Sequence, residues 1–153
     1  MVGPEAILNH AVAFSLQTVH GNPVCAAAAL AVLHTIERDN LVANAERTGR
    51  VLREALDRLA ARHALIGDVR GRGLALGVEL TDARQTALTV YRAFQLGLVL
   101  YYVGVNSNVL EFTPPLTLTE AEAQEGVAIL GQALADVAAG RVDEAQLADF
   151  AGW

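Results

Sequence analysis

The apolar residues of this chain change their period part-way along, and that change limits the folds open to it. Leu41, Ala45, Thr48, Leu52, Leu56 and Leu59 recur at helical spacing, which predicts an amphipathic helix over about 41–62. "LALGVEL" (Leu74–Leu80) instead sets Leu74, Leu76, Val78 and Leu80 against Ala75, Gly77 and Glu79, the alternation of a half-buried strand. A chain carrying both periods has to lay helices on a sheet.

The remaining elements follow from local signals. Asn22 is a good N-cap and Pro23 suits the first helical position, where its missing N–H costs nothing. Ala26, Ala29, Leu30, Leu33 and Ile36 then predict a helix over 23–38, separated from the next by Asp39-Asn40. "IGDVRGRG" (Ile66–Gly73) reads as turn material. Asp82 opens a third helix over 83–96, stopped by Gly97. Leu98–Val103 and Val109–Thr113 read as strands around "GVNSN", and Pro114-Pro115 ends the second. Thr119-Glu120-Ala121-Glu122 is a capping box that starts a helix over 120–139, running to Gly140. The expected fold class is α+β, a small, largely antiparallel sheet with helices packed on it.

At 153 residues the chain has the size of about one domain with a substantial core, and its apolar content of 53% is that of a soluble globular protein. A net charge of −6 and a pI near 5.1 argue against a nucleic-acid partner or an anionic membrane. Pro4, Glu5, Asn9 and His10 interrupt any leader-like run, and no stretch has the length and apolarity of a membrane span. Cys25 is the single cysteine, which rules out an internal disulfide and points to a reducing, cytoplasmic compartment. Its place in an alanine-rich helix suggests a packed small side chain rather than a nucleophile.

Few residues carry chemistry on their own. "GDVRGRGLALG" is glycine-rich and basic, but phosphate loops follow a strand and precede a helix, and here that order is reversed. Arg70 and Arg72 are therefore expected to hold a tight turn by contacting backbone or a neighbouring carboxylate. His10, His20, His34 and His63 lie at no metal-binding spacing, so no metal site is expected. No Ser/His/Asp arrangement is present. Tyr101 and Tyr102, adjacent on a strand, are expected to face opposite sides. All 11 basic residues are arginine; the chain has no lysine.

"QTVHGNPVCAAAALAVLHTIERDNL", "IGDVRGRGLALGVEL" and "NVLEFTPPLTLTEAE" occur in this order and at similar spacing in the class III aminotransferases. The chain resembles that family, the ω-transaminase, ornithine and 4-aminobutyrate group of fold-type-I enzymes, from about Val2 to Ala139. The resemblance implies pyridoxal 5′-phosphate as cofactor. It also implies division into a segment 1–22 at the large-domain and dimer interface, a small C-terminal domain 23–140, and a tail 141–153.

In the family, a threonine four residues before Asn-Pro reaches across the dimer to the cofactor phosphate. Thr18 stands at that position, on a loop shaped by Gly21 and Asn22, and a hydroxyl donates to a phosphate oxygen without adding charge. The partner implied is a second copy, in a homodimer or a higher homo-oligomer. Val24, Leu30 and Leu33 are expected to form an exposed patch that promotes such association.

Two departures limit what the resemblance implies. The family's cofactor is joined to a lysine, so this chain alone is not expected to catalyse transamination, and no catalytic residue is assigned within it. A separate large-domain chain would be one source of that lysine. The second departure is Glu111, which stands where many members carry an arginine that grips the substrate carboxylate. An acid there repels a carboxylate and points to amines, lactams or amino-acid amides, or to racemase or epimerase chemistry. Alternatively, Glu111 pairs with Arg70 or Arg72. A non-catalytic module acting in oligomerisation is the reading from another class.

Overall fold

The computed structural model describes residues 21–147, with Gln146 described by its backbone alone. Thr18, and most of the segment 1–22 and part of the tail 141–153, lie outside the described residues. Contacts divide the chain into two compact units between Asp39 and Asn40.

The first unit contributes helix α1 (Pro23–Arg38). Its start follows the expected cap: Asn22 Oδ1 accepts from Val24 N at 2.9 Å and from Cys25 N at 3.3 Å. Gly21 precedes it at φ +73°, a conformation that costs glycine little. None of the residues of α1 is buried. Val24, Leu30 and Leu33 are exposed, as expected. Cys25 is exposed as well, which corrects the expectation of a packed side chain.

The second unit begins with α2 (Leu41–Ala60), whose stripe Leu41, Thr48, Leu52, Leu56 and Leu59 is buried. Strands β1 (Ile66–Arg72) and β2 (Ala75–Leu80) follow, then α3 (Ala83–Gln95). Strands β3 (Tyr101–Val103) and β4 (Val109–Phe112) lead to α4 (Glu120–Ala138). The sheet runs in the order β1-β2-β4-β3, and each neighbouring pair is antiparallel. This is the α+β architecture expected.

One expectation is overturned: residues 66–72 form a strand, not a turn. An irregularity between Ile66 and Asp68 places Ile66 and Val69, three residues apart, on the core side. The two-residue alternation that marks a strand is thereby broken in the sequence. The turn is shorter, just Gly73-Leu74, with Gly73 at φ +57° supplying the left-handed conformation such hairpins need. Strand β3 also begins later than expected. Gly97 takes φ +96°, and Leu98 N donates to Ala93 O at 2.9 Å, so Leu98 still belongs to the helix end.

The core lies between one face of the sheet and α2, α3 and α4. Val78, Leu80 and Leu110 from the strands meet Leu56, Leu130 and Leu134 from the helices, all essentially without exposure. Asp82 caps α3 through Gln85 N at 2.8 Å. Thr119 and Glu122 close the expected capping box on α4, and the Glu122 side chain also accepts from Thr119 Oγ1 at 2.7 Å.

Candidate functional site

Alternation along β2 and β4 sends Leu76, Val78, Leu80, Leu110 and Phe112 into the core, which leaves Gly77, Glu79, Val109 and Glu111 on the opposite face. The register lines up one row across all four strands on that face: Arg70 beside Gly77, Gly77 beside Glu111, Glu111 beside Tyr101. Tyr102 pairs with Leu110 on the core side and Tyr101 with Glu111 on the open side, so the two tyrosines do face apart.

Arg70 and Glu111 stand two strands apart in this row, about 10 Å between backbones. Arg70 is committed elsewhere: its Nη1 donates to Asp68 Oδ2 at 2.8 Å and Glu79 Oε2 at 2.7 Å. Those two acids, Asp68 first, raise its pKa above the ordinary guanidinium value. Asn108 Nδ2 donates to Leu80 O at 3.0 Å and reaches Glu79 Oε1 at 3.5 Å. The expectation that Arg70 meets a neighbouring carboxylate holds. Arg72, in contrast, forms no ion pair among the described residues, and Glu111 pairs with neither arginine.

Beyond the Tyr101–Glu111 pair, β3 and β4 part and a cleft of about 220 Å³ opens. Leu52, Phe112 and Val127 are its buried floor; Val99, Tyr101 and Glu111 stand where it meets solvent. Leu98 and Leu100 complete an apolar wall, and Gly126 keeps α4 thin where it faces Leu98. Two acids line the cleft. Glu122 is tied to Thr119, whose hydroxyl and backbone N–H hold its carboxyl below the usual range. Glu111 has no hydrogen-bond or ion-pair partner among the described residues, and no basic residue lines the cleft.

The sequence singled out Glu111, and the structure sets it in a ligand-sized cleft. It also read Glu122 as a cap and did not connect it with Glu111, which lies 11 positions away. No local signal joins them; only the packing of α4 beside the end of β4 does. Thr18 lies outside the described residues, and Asn22 acts as a helix cap. Among the described residues, no group of three His, Cys, Asp or Glu side chains could hold a metal ion. No helix there is long and apolar enough to cross a membrane.

The family model described as aminotransferase class-III matches residues 2–134. This chain belongs to the class III aminotransferases. An alanine/serine racemase from Pyrococcus horikoshii is 38% identical over 149 residues, 94% of this chain and 31% of that protein. A leucine/methionine racemase from Thermococcus litoralis is 40% identical, covering 89% of this chain and 32% of that protein. A solved aminotransferase structure from Bacillus anthracis superimposes with a TM-score of 0.73 at 30% identity, over 78% of this chain and 29% of that one. The chain thus spans about a third of the length of these relatives.

Complete enzymes of this family work with pyridoxal phosphate. These 153 residues include no lysine, so this class III chain does not offer the amine that would hold the cofactor covalently.

Proposed function

We propose that this chain is the C-terminal part of a pyridoxal-phosphate-dependent class III aminotransferase. The complete enzyme moves an amino group between an amine or amino acid and a keto acid. One observation carries the reading: the family match runs almost end to end, yet the chain spans about a third of its relatives and contains no lysine. The lysine then comes from the rest of the polypeptide or from a separate large-domain chain. Residues 1–22 serve the interface, 23–140 are the small domain and 141–153 a tail. Thr18 donates to the cofactor phosphate across a dimer or higher homo-oligomer in the cytoplasm.

Glu111 lines the substrate pocket in this reading. Its unpartnered carboxylate repels a substrate carboxylate, which favours amines, lactams and amino-acid amides. A second reading, racemase or epimerase chemistry, is favoured by the two racemases among the relatives at 38% and 40% identity. A third, an oligomerisation module without catalysis, is favoured by the exposed apolar side chains of α1.

The test starts with the native protein isolated from its source, its intact mass measured with whatever co-purifies. A longer lysine-containing polypeptide, or a lysine-containing partner, with cofactor absorbance supports the enzyme readings; a 153-residue chain without either supports the module. Keto-acid consumption with an amine donor then separates transfer from racemisation, which chiral chromatography detects as loss of optical purity without keto product.

A further inference from the structure

We infer that the cleft where β3 and β4 part binds a small organic cation with an apolar body, its charged nitrogen against the carboxylate of Glu111. The inference deepens the enzyme reading above, on which it rests for the role of the bound molecule as substrate. The binding itself rests on the cleft.

The volume comes first. About 220 Å³ is more than the roughly 150 Å³ of an engineered apolar cavity that takes up benzene, so a six-membered ring with one substituent fits. Leu52, Leu100, Phe112 and Val127 supply an apolar floor, and a ring laid on it leaves water in the usual favourable way.

Charge then selects among rings of that size. Glu111 stands at the solvent end of the cleft with no hydrogen-bond or ion-pair partner among the described residues. The nearest basic residue in its row, Arg70, is already held by Asp68 and Glu79. Glu122 adds a second negative charge to the same lining, its oxygens turned to the Thr119 cap. No lysine or arginine lines the cleft to offset either acid. An anionic ligand is repelled here, and a neutral hydroxyl gives Glu111 a plain hydrogen bond. An ammonium gives it a charge-assisted one, about twice as strong.

The experiment is an amide-detected NMR titration of the 153-residue chain with cyclohexylammonium, cyclohexanol and cyclohexanecarboxylate, three ligands of one shape and different charge. Molecules this small bind in the range of about millimolar. The expected result is saturable shifts for the ammonium at Leu98–Tyr101, Phe112, Thr113 and Val127, with the alcohol about tenfold weaker and the carboxylate weaker still. Glu111→Gln should bring ammonium and alcohol to equal affinity while its spectrum stays dispersed; Glu111→Asp should retain part of the preference.

Equal binding of ammonium and alcohol by the unmodified chain would overturn the inference. So would shifts centred on other exposed acids such as Glu46 and Glu54, or no shift at the cleft with any of the three ligands. Failure of the enzyme reading is seen elsewhere, as absence of cofactor from the native protein. That result would remove the substrate role and leave the binding result standing.

Discussion

The Nε of Arg92 on α3 lies 2.7 Å from Oδ2 of Asp136 on α4, and the aspartate side chain is 4% exposed. Arg141 and Gln132 donate to the other carboxylate oxygen, so one buried acid ties α3, α4 and the chain beyond α4. Arg141 first and Arg92 next hold its carboxyl down at about 2, against an ordinary value of 3.8.

A depressed folded-state pKa contributes stability that is present above the unfolded value and lost as pH falls through the folded one. Asp136 should therefore stabilise fully at neutral pH, less below about pH 3.8, and hardly at all at pH 2. Thermal unfolding of the chain and of Asp136→Asn should show a clear gap at pH 7 that closes on approach to pH 2. A gap independent of pH would mean that packing, not charge, carries the contribution.

Gly49 sits inside α2, where alanine ordinarily gains about 1 kcal/mol over glycine. Here a Cβ would run into the Gly73 carbonyl of the β1–β2 turn. Gly49→Ala should therefore destabilise, by about 1–3 kcal/mol, because helix and turn have to move apart. Denaturant unfolding gives the sign directly, and a more stable variant would show that the close approach is easily relieved.

Thr48 has no exposure, and its Oγ1 has no hydrogen-bond partner. Thr48→Val removes the orphaned hydroxyl at nearly the same volume, so it should stabilise by about 1 kcal/mol. For a chain of this size that is a rise in melting temperature of about 2–4 °C. A fall would mean that the hydroxyl is satisfied in solution.

In the complete enzyme, Glu111→Arg should move preference toward carboxylate-bearing substrates by at least tenfold in kcat/KM ratio, since it replaces repulsion with a bidentate donor. Parallel assays on an amine and on the matching amino acid measure this. An unchanged ratio would place Glu111 outside the substrate's reach.

Elements with strong local signals were legible from the residues alone. Helix α1 keeps its expected bounds, because Asn22 and Pro23 define its start within a few residues of chain. The same holds for α3 behind Asp82 and α4 behind Thr119 and Glu122. Strand β1 was not legible: Gly67, Gly71 and Gly73, together with the irregularity after Ile66, imitate a turn in sequence. Its pairing with β2 supplies backbone hydrogen bonds that override that composition.

By itself the sequence determined where the helices start, which stripe of α2 is buried, the family through three ordered motifs, and the absence of any lysine. Each of these is a local pattern or a simple inventory. Tertiary structure decided that Arg70 goes to Asp68 and Glu79, that Glu111 is left unpaired beside Gly77 and Tyr101, and that a cleft opens there. Those relations depend on ladder register and on the docking of α4 near the end of β4. Both are set by which face is buried across the whole sheet, a global property that no single segment encodes.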